Sequence, residues 1–359
     1  MPTFISKRPL QPLVFSLLLI ILIGWLLKIG QSVLIPILTA LIAVYVLVRT
    51  AEGLGRVPLI GKLPEWARRV LVLIGFVVLA IVLGSIVVST GEQVIAAVPR
   101  YQDNLEGLLV RAANWLDLDQ LPNWQTIQSM TIEQIDVQGL LTGTLGSLGS
   151  GFGVVALVGV YMVFLLSERN SFSRKLSVAM PGESASQTQA LIRDINQQIG
   201  NYLAFKTLIN VLLGCMTWIV MHAIGVDFAL FWALILALLN YIPYVGAFIG
   251  ISFPVLLTLA QFGSLQTTLL VGILLSAAQF YVGSVLEPRV IGRQVNLSPF
   301  VVLVALSLWY SLWGVAGAIL AIPLTSMLTI IMAAFPGTRP LAILLAEDVE
   351  TFVDEAATD

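Results

Sequence analysis

The chain has 359 residues, of which 58% are hydrophobic and only 11% are charged. A chain of this composition must have lipid as its main solvent, and it leaves no room for a large water-soluble domain. The net charge of -2 excludes a nucleic-acid-binding surface, which needs clustered Lys and Arg. One histidine and one cysteine exclude a multi-histidine metal site and an intramolecular disulfide, and we expect no metal or other cofactor.

We predict three membrane spans in residues 1–90, because crossing the hydrocarbon core needs about 20 mostly apolar residues. Residues 10–27 and 33–48 are expected to form a close hairpin over a short connection. The next connection, residues 49–69, is basic. The uncharged run 70–89 is the clearest span in the chain.

Charge then alternates along the next three segments. Residues 91–146 are acidic and are predicted to be an extracytoplasmic segment, folded as an amphipathic helical hairpin. Residues 147–167 form a fourth span. Residues 168–206 are basic and contain an amphipathic helix that leads directly into the next span. Because Lys and Arg are enriched in cytoplasmic connections, both the N-terminus and the acidic tail, residues 337–359, are expected to be cytoplasmic.

The C-terminal membrane core, residues 207–336, contains two long apolar segments that glycine and proline interrupt, residues 227–262 and 298–335. If the first crossed only once, the basic residues that follow the next span would lie outside, against the charge rule. We therefore predict that both segments are hairpins that return to their starting side, with Pro243 and Gly246 near the first bend. Membrane transporters hold solutes at interrupted helices of this kind.

The two broken segments also resemble each other at a constant offset of 71 residues. As an inverted repeat, such a pair would form a substrate site near the membrane midplane. The identical pairs are Gly246 and Gly317, Ala247 and Ala318, Ile251 and Ile322, and Thr258 and Thr329.

Ionisable side chains at membrane depth are the first candidates for function, because burying charge in lipid is costly. Glu287, Arg289 and Arg293 cluster after a long span, and Pro288 is expected to interrupt the helix there. The functional interpretation is a gate or ion-pair latch in which Glu287 is a protonatable or cation-binding carboxylate. The alternative is a cytoplasmic loop whose charges lie in water. Asp227 is expected to cap the helix that starts at Phe228, and ion binding is the alternative role of its carboxylate.

Catalytic motifs are missing from the sequence. It has no Gly-x-Ser-x-Gly elbow, phosphate loop or dinucleotide fingerprint in the strand-to-helix context that each requires, so we do not expect an enzyme. The candidate residues for a solute or ion pathway are Asn240, Pro243, Tyr244, Gly246, Gly250, Glu287, Arg289, Arg293, Gly314, Gly317 and Pro323.

Three motifs in the C-terminal half carry a resemblance to a known family. They are NYIPYVGAFIG at 240–250, EPRVIGR at 287–293 followed by LSP, and GVAGAILAIPL at 314–324. In these motifs and their order the chain resembles the autoinducer-2 exporter family of bacterial inner-membrane proteins. The resemblance implies about eight transmembrane helices, a location in the plasma membrane and a homo-oligomer, with a pentamer as the expected state. It also implies transport, since family members are associated with export of autoinducer-2 or with sodium/proton antiport.

The expected fold is therefore an all-α integral membrane protein with two glycine- and proline-broken hairpins in its C-terminal half. The leading functional hypothesis is a secondary transporter or permease that exports a small polar solute, such as an autoinducer-2-like signal. A sodium/proton antiporter and a non-transporting membrane scaffold are the alternatives. The expected partners are the lipid bilayer, a small polar solute or cation and further copies of the chain, but not nucleic acid.

Overall fold

The computed structural model describes residues 10–56, 58, 60–116, 153–168, 171, 174–175, 178–179, 183–291 and 295–350. The regular elements within these residues are all helical, which confirms the all-α fold. In chain order they are α1 Leu10–Ile29, α2 Gln31–Leu54, α3 Glu65–Leu116, α4 Gly153–Glu168, α5 Glu183–Ile224, α6 Ala229–Leu239, α7 Val245–Phe262, α8 Leu265–Tyr281, a π-helical turn Val282–Leu286, α9 Glu287–Ile291, α10 Pro299–Ala334 and α11 Arg339–Leu345.

Six described helical segments are long and apolar enough to cross a membrane, and three shorter helices are also apolar. The most apolar 18 residues of the segment Glu65–Gly91 include no buried residue, so their apolar surface is available to lipid. This pattern is that of a multi-pass membrane protein. The six segments are Gln31–Leu54, Glu65–Gly91, Ser186–Ile224, Val245–Phe262, Leu265–Ile291 and Pro299–Ala334, and the shorter helices are Val14–Ile29, Gly153–Glu168 and Ala229–Leu239.

The N-terminal pair of helices differs from the prediction of a close hairpin. Only Gly30 separates α1 from α2, and helical hydrogen bonds reach it from both sides, from its own N–H to Leu26 O and from Leu34 N–H to its carbonyl. One residue is shorter than the loops that let two helices fold back on each other. Instead α1 packs on α10, where Lys28 Nζ donates to Leu312 O at 2.8 Å.

Helix α3 is one uninterrupted element of 52 residues. Its first half is the predicted span, and its second half extends beyond Gly91 through the acidic segment. The part of the acidic segment that is described, up to Leu116, is therefore helical as predicted. The second arm of the predicted acidic hairpin lies outside the described residues.

The chain divides into two compact units. The first unit contains residues 1–43, 158–191 and 296–359, and the second contains residues 44–157 and 192–295. A hydrophobic core in the second unit joins α5, α6 and α8. Its buried members are Met221, Val226, Ala229, Ala233, Val271 and Leu275.

The first broken segment is a hairpin, as predicted. Its arms are α6 and α7, and the backbone reverses between them at residues 240–244, where Tyr244 has a positive φ of 61°. The side-chain amide of Gln261, near the end of α7, accepts from Asp227 N at 2.7 Å and donates to Gly225 O at 2.8 Å. Because the two ends of the segment are bonded to each other, the chain returns to the side from which it started.

The second broken segment is also a hairpin, and its two helical arms meet at Gly314. Gly314 interrupts α10 with φ 62° and ψ -142°. Trp309 Nε1 donates to Thr325 Oγ1 at 3.1 Å. Sixteen residues of straight helix would hold these two residues about 24 Å apart, so the chain must reverse between them. At the other end Ser298 N donates to Leu345 O, which places the start of the segment beside α11, the helix that follows it.

The two hairpins close in the same way. A Cβ atom added to Gly246 would lie 1.7 Å from Leu239 O, and one added to Gly317 would lie 1.9 Å from Trp309 O. Each glycine therefore lets the second arm start against a carbonyl of the first arm. This supports an internal repeat, whose inverted orientation stays a prediction.

Candidate functional site

Three side-chain amides meet inside the second unit. Asn240, which ends α6, donates through Nδ2 to Asn210 Oδ1 of α5 at 2.8 Å. Gln279 of α8 donates through Nε2 to Asn240 Oδ1, also at 2.8 Å. Asn210 and Asn240 are buried and Gln279 is half-buried. These three residues, which we call the amide chain, link three helices through neutral polar groups.

The amide chain has free ends. Asn210 Nδ2, a donor, and Gln279 Oε1, an acceptor, are buried and make no hydrogen bond to the protein. Rotating all three amides would exchange donor and acceptor but would still leave one of each. A buried polar group without a partner costs about 1–3 kcal/mol, so such groups are kept where water or a ligand satisfies them.

An ion pair lies next to the amide chain. Lys206 Nζ donates to Glu287 Oε1 at 2.6 Å, and the lysine side chain is 4% exposed while that of the glutamate is 29% exposed. Lys206 precedes Asn210 by four residues on α5, so the two side chains share one face of that helix. The ion pair of Glu287 is therefore made with a lysine of another helix and not with an arginine of its own cluster. Arg289 is exposed, and Arg293 lies outside the described residues.

The π-helical turn brings Glu287 to this face. The predicted loop at residues 287–291 is helical, and the helix passes through Pro288 by means of the turn Val282–Leu286, in which Glu287 N donates to Val282 O. Eight residues of regular α-helix would place Glu287 about 80° around the axis from Gln279. Because a π-turn absorbs one extra residue, the offset becomes about 20°. The glutamate then points to the same side as the amide.

The bend of the first hairpin is held against α5, near the amide chain and the ion pair of Lys206 and Glu287, which we together call the polar layer. The hydroxyl groups of Tyr241 and Thr207 are 2.7 Å apart. Asn210 lies fourteen residues from the end of α5 at Ile224, a distance of about 21 Å along the helix. A hydrocarbon core is about 30 Å thick, so this distance is shorter than one crossing of the membrane.

Of the predicted pathway residues of the first hairpin, only Asn240 belongs to the amide chain. Pro243 and Tyr244 form the bend, and the tyrosine side chain is exposed. Gly246 and Gly250 are buried and let α7 approach α6 closely. Their role in this structure is packing of the hairpin.

The predicted residues of the second hairpin belong to the first unit. Gly314 supplies the bend, Gly317 allows the close approach to Trp309, and Pro323 is buried within the second arm. Ser326, nearby in that arm, has a buried hydroxyl without a partner.

Three residues of the amide chain and the neighbouring ion pair were not among the predicted site residues. They are Lys206, Asn210 and Gln279. Polar side chains inside apolar spans are rare, and Asn210 and Gln279 both interrupt apolar runs, which was the available signal. Lys206 was assigned to the basic cytoplasmic segment, but the helix carries it into the buried layer.

The opposite end of the first hairpin is held by the extension of α3. Asp227 does not cap α6 as predicted, because Phe228 takes the N-cap position with a left-handed φ of 56°. The Asp227 carboxylate instead accepts from Arg100 and, at 2.8 Å, from the Tyr101 hydroxyl. Burial and the neighbouring carboxylate of Asp227 raise the pKa of Tyr101 to about 12. Asn104 Nδ2 donates to Gln261 O at 2.5 Å, so α3 contacts both ends of the hairpin.

Helical spans, two hairpins that return to their starting side and a buried polar layer define a multi-pass membrane transport protein. Residues 15–337 match the family described as AI-2E family transporter, and the chain belongs to that family. YhhT of Escherichia coli (strain K12), a candidate transport protein by its name, is 30% identical over 284 residues, which cover 77% of this chain and 78% of YhhT. AI-2 transport protein TqsA of Escherichia coli (strain K12) is 28% identical over 350 residues, 93% of this chain and 95% of TqsA. The protein is thus a transporter or permease.

Proposed function

We propose that the protein exports a small polar solute that is bound at the amide chain. The observation that carries this proposal is the pair of unsatisfied buried groups, Asn210 Nδ2 and Gln279 Oε1. A hydroxyl group both donates and accepts, so a solute that bears hydroxyl groups would satisfy both ends. TqsA, a relative over almost its whole length, is named for transport of AI-2, which supports a quorum-sensing signal of that kind as the solute.

The charge of the site favours a neutral solute. The amides carry no charge, and the ammonium of Lys206 balances the carboxylate of Glu287. A neutral solute would enter without leaving an uncompensated ion at membrane depth, which is expensive in hydrocarbon.

Flux of labelled AI-2 into everted proteoliposomes tests this proposal. Asn210→Leu and Gln279→Leu each remove one free end of the amide chain, and we expect flux to fall about tenfold, since one lost hydrogen bond is worth about 1.4 kcal/mol. Thr258→Val is the matched control, because it also removes a buried hydroxyl from the second unit but not from the amide chain. Flux of both leucine variants equal to that of the control would refute the site. A wild-type protein that carries no AI-2 would refute the solute.

Glu287 is the carboxylate that would act in gating. Glu287→Gln keeps the shape and the hydrogen-bonding capacity while removing the charge that holds Lys206. We expect reduced flux from a folded protein. A variant with wild-type flux would remove Glu287 from the mechanism.

A sodium/proton antiporter is the second candidate, and the partly buried carboxylate of Glu287 is the observation in its favour. The ammonium of Lys206, however, already occupies one oxygen of that carboxylate. Everted vesicles that develop a sodium-dependent change of internal pH would support antiport over solute export. If neither solute flux nor antiport is found, a membrane scaffold remains as the function.

We also infer that the protein lies in the inner membrane of a bacterium as a homo-oligomer, with a pentamer expected, and that the C-terminus is cytoplasmic. A cytoplasmic N-terminus, the prediction from the sequence, would require the chain to reverse at Gly30, where helical hydrogen bonds meet from both sides. The relatives named above are bacterial, and the basic connections alternate with the acidic segment along the chain. A reporter enzyme that is active only in the periplasm should show no activity when it is fused to a cytoplasmic C-terminus. Mass photometry of the purified protein measures the number of copies.

A further inference from the structure

We propose that the junction of α2 and α3 binds the phosphate group of an anionic phospholipid. The junction consists of residues 49–69, which are the end of α2, the start of α3 and the connection between them. This inference goes beyond the proposed function, because the junction contains no residue of the amide chain and lipid binding there requires no transported solute.

The junction lies where two membrane spans end. Helix α2 ends at Leu54 and α3 begins at Glu65, and both contain a segment that is long and apolar enough to cross a membrane. Trp66, in the first turn of α3, is 68% exposed, and tryptophan is enriched at the level of the lipid headgroups. The charged side chains of the junction therefore lie among headgroups.

The charges of the junction do not balance. It has five basic and two acidic side chains, and each acidic side chain is paired with an arginine of its own helix. Arg49 bonds to Glu52 at 3.0 Å, and Arg69 bonds to Glu65. Within the described part of the junction, the basic side chains without an ion pair are Arg56, Lys62 and Arg68. Three uncompensated positive charges at a membrane surface favour an anionic lipid.

Arg68 is held in place by packing. A Cβ atom added to Gly55 would lie 1.8 Å from Arg68 Nη1 and 3.0 Å from Arg68 Cζ, so the guanidinium fills the space beside that glycine at the end of α2. The dipole of α2 favours a cation at this end. Arg68 Nε is nevertheless buried without a hydrogen bond to the protein. The fold thus positions a guanidinium, the group that binds phosphate with parallel hydrogen bonds, and supplies no anion for it.

The surface beside Arg68 is apolar and open to lipid. Val70 and Leu71, the next residues of α3 after Arg69, are 45% and 44% exposed, and Leu63 is 42% exposed. A phospholipid would place its phosphate at Arg68 and its acyl chains along α3, whereas free phosphate would gain only the polar contacts. The occupant that matches both the charge and the apolar surface is therefore a lipid.

The test uses bromine, which quenches the fluorescence of a tryptophan that it contacts. The full-length protein is reconstituted in vesicles of phosphatidylcholine that contain a minor fraction of either brominated phosphatidylglycerol or brominated phosphatidylcholine. The signal of Trp66 is the difference between each protein and its Trp66→Phe version. We expect the anionic lipid to quench this signal more strongly than the neutral lipid does at the same fraction. Since no solute is added, these results do not depend on whether AI-2 is carried.

The variants separate a site from general attraction. Arg68→Gln should lower the preference for the anionic lipid about fivefold, because one basic residue near anionic headgroups contributes about 1 kcal/mol. Arg68→Lys keeps the charge without the planar pair of donors and should keep part of the preference. Arg56→Gln and Lys62→Gln should each lower it too, and both side chains are exposed, so these variants do not endanger folding. Arg193→Gln, which removes an exposed arginine of α5, is the matched control and should leave the preference unchanged.

Three results would overturn the inference. The first is equal quenching of Trp66 by the two brominated lipids in the wild type. The second is a loss of preference in Arg193→Gln as large as in Arg68→Gln, because the lipid would then respond to the total charge of the protein. The third is loss of the preference when inorganic phosphate is added at constant ionic strength, because the junction would then bind the free anion.

Discussion

Alanine at Gly246 should force the arms of the first hairpin apart. The added Cβ would lie 1.7 Å from Leu239 O, whereas Cβ atoms do not approach other atoms closer than 3.0 Å. The arms must therefore separate by roughly 1.3 Å, the difference between these two distances. The obstacle is backbone, so no side-chain rotation can relieve it. Overpacking usually costs 1–3 kcal/mol, and we expect about 3 kcal/mol or more here.

The same change at Gly317 tests whether the second hairpin closes in the same way, because its Cβ would lie 1.9 Å from Trp309 O. Thermal unfolding monitored by tryptophan fluorescence should show Tm values about 6–12 °C below the wild type for both variants. Gly75→Ala is the matched control, since no atom lies within 4 Å of its added Cβ. Its Tm should stay unchanged or rise, because alanine stabilises a helix by about 0.5–1 kcal/mol over glycine. A Gly246→Ala protein with the Tm and flux of the wild type would show that the arms do not meet there.

Three further changes test other contacts. Lys28→Met removes the donor to the Ser311 and Leu312 carbonyls at the bend of the second hairpin and should lower the Tm. Lys28→Arg keeps a charged donor and should have a Tm closer to that of the wild type. Equal Tm values for the two variants would refute the role of the charge. Asp227→Asn should change stability by less than about 1 kcal/mol, because its partner Arg100 is 58% exposed. The same variant should lower the pKa of Tyr101 from about 12, although burial will keep it above 10, and a difference titration of tyrosine absorbance measures the shift. Trp309→Phe removes the hydrogen bond to Thr325, which costs about 0.5–1.5 kcal/mol, and should change the Tm less than Gly317→Ala does.

The broken hairpins could be predicted because their causes are local in sequence. Apolar length defines the segments, glycine and proline mark the bends, and the charges of the connections require a return to the starting side. The glycine pair Gly246 and Gly317 was even found in register, and the structure gives both the same packing role.

The polar layer could be predicted only in part because its contacts are distant in sequence. Lys206 and Glu287 are separated by 81 residues, and the burial of the lysine follows from the partner that the fold provides. Asp227 is a second residue whose contacts are decided by partners distant in sequence. A local rule predicted a helix cap, but Arg100 and Tyr101, more than 120 residues earlier, take the carboxylate.

The first pair of helices shows a different limit. Apolar length identified α1 and α2, but the direction of the chain between them depends on the few hydrogen bonds around Gly30. Composition does not specify those bonds. Lys28 of α1 donates to Leu312 O of α10, and Trp313 Nε1 of α10 donates to Leu27 O of α1. These two contacts decide where α1 packs.

The π-helical turn Val282–Leu286 also stores a rotation. If its extra residue were expelled and the turn became regular α-helix, everything after it would rotate by about 100° and move by about 1.5 Å along the axis. Glu287, the first residue beyond the turn, would swing away from Lys206 without any tilt of α8. The ion pair could thus be opened and closed by a change in the winding of one helix, while the amide chain on the preceding turns stays in place.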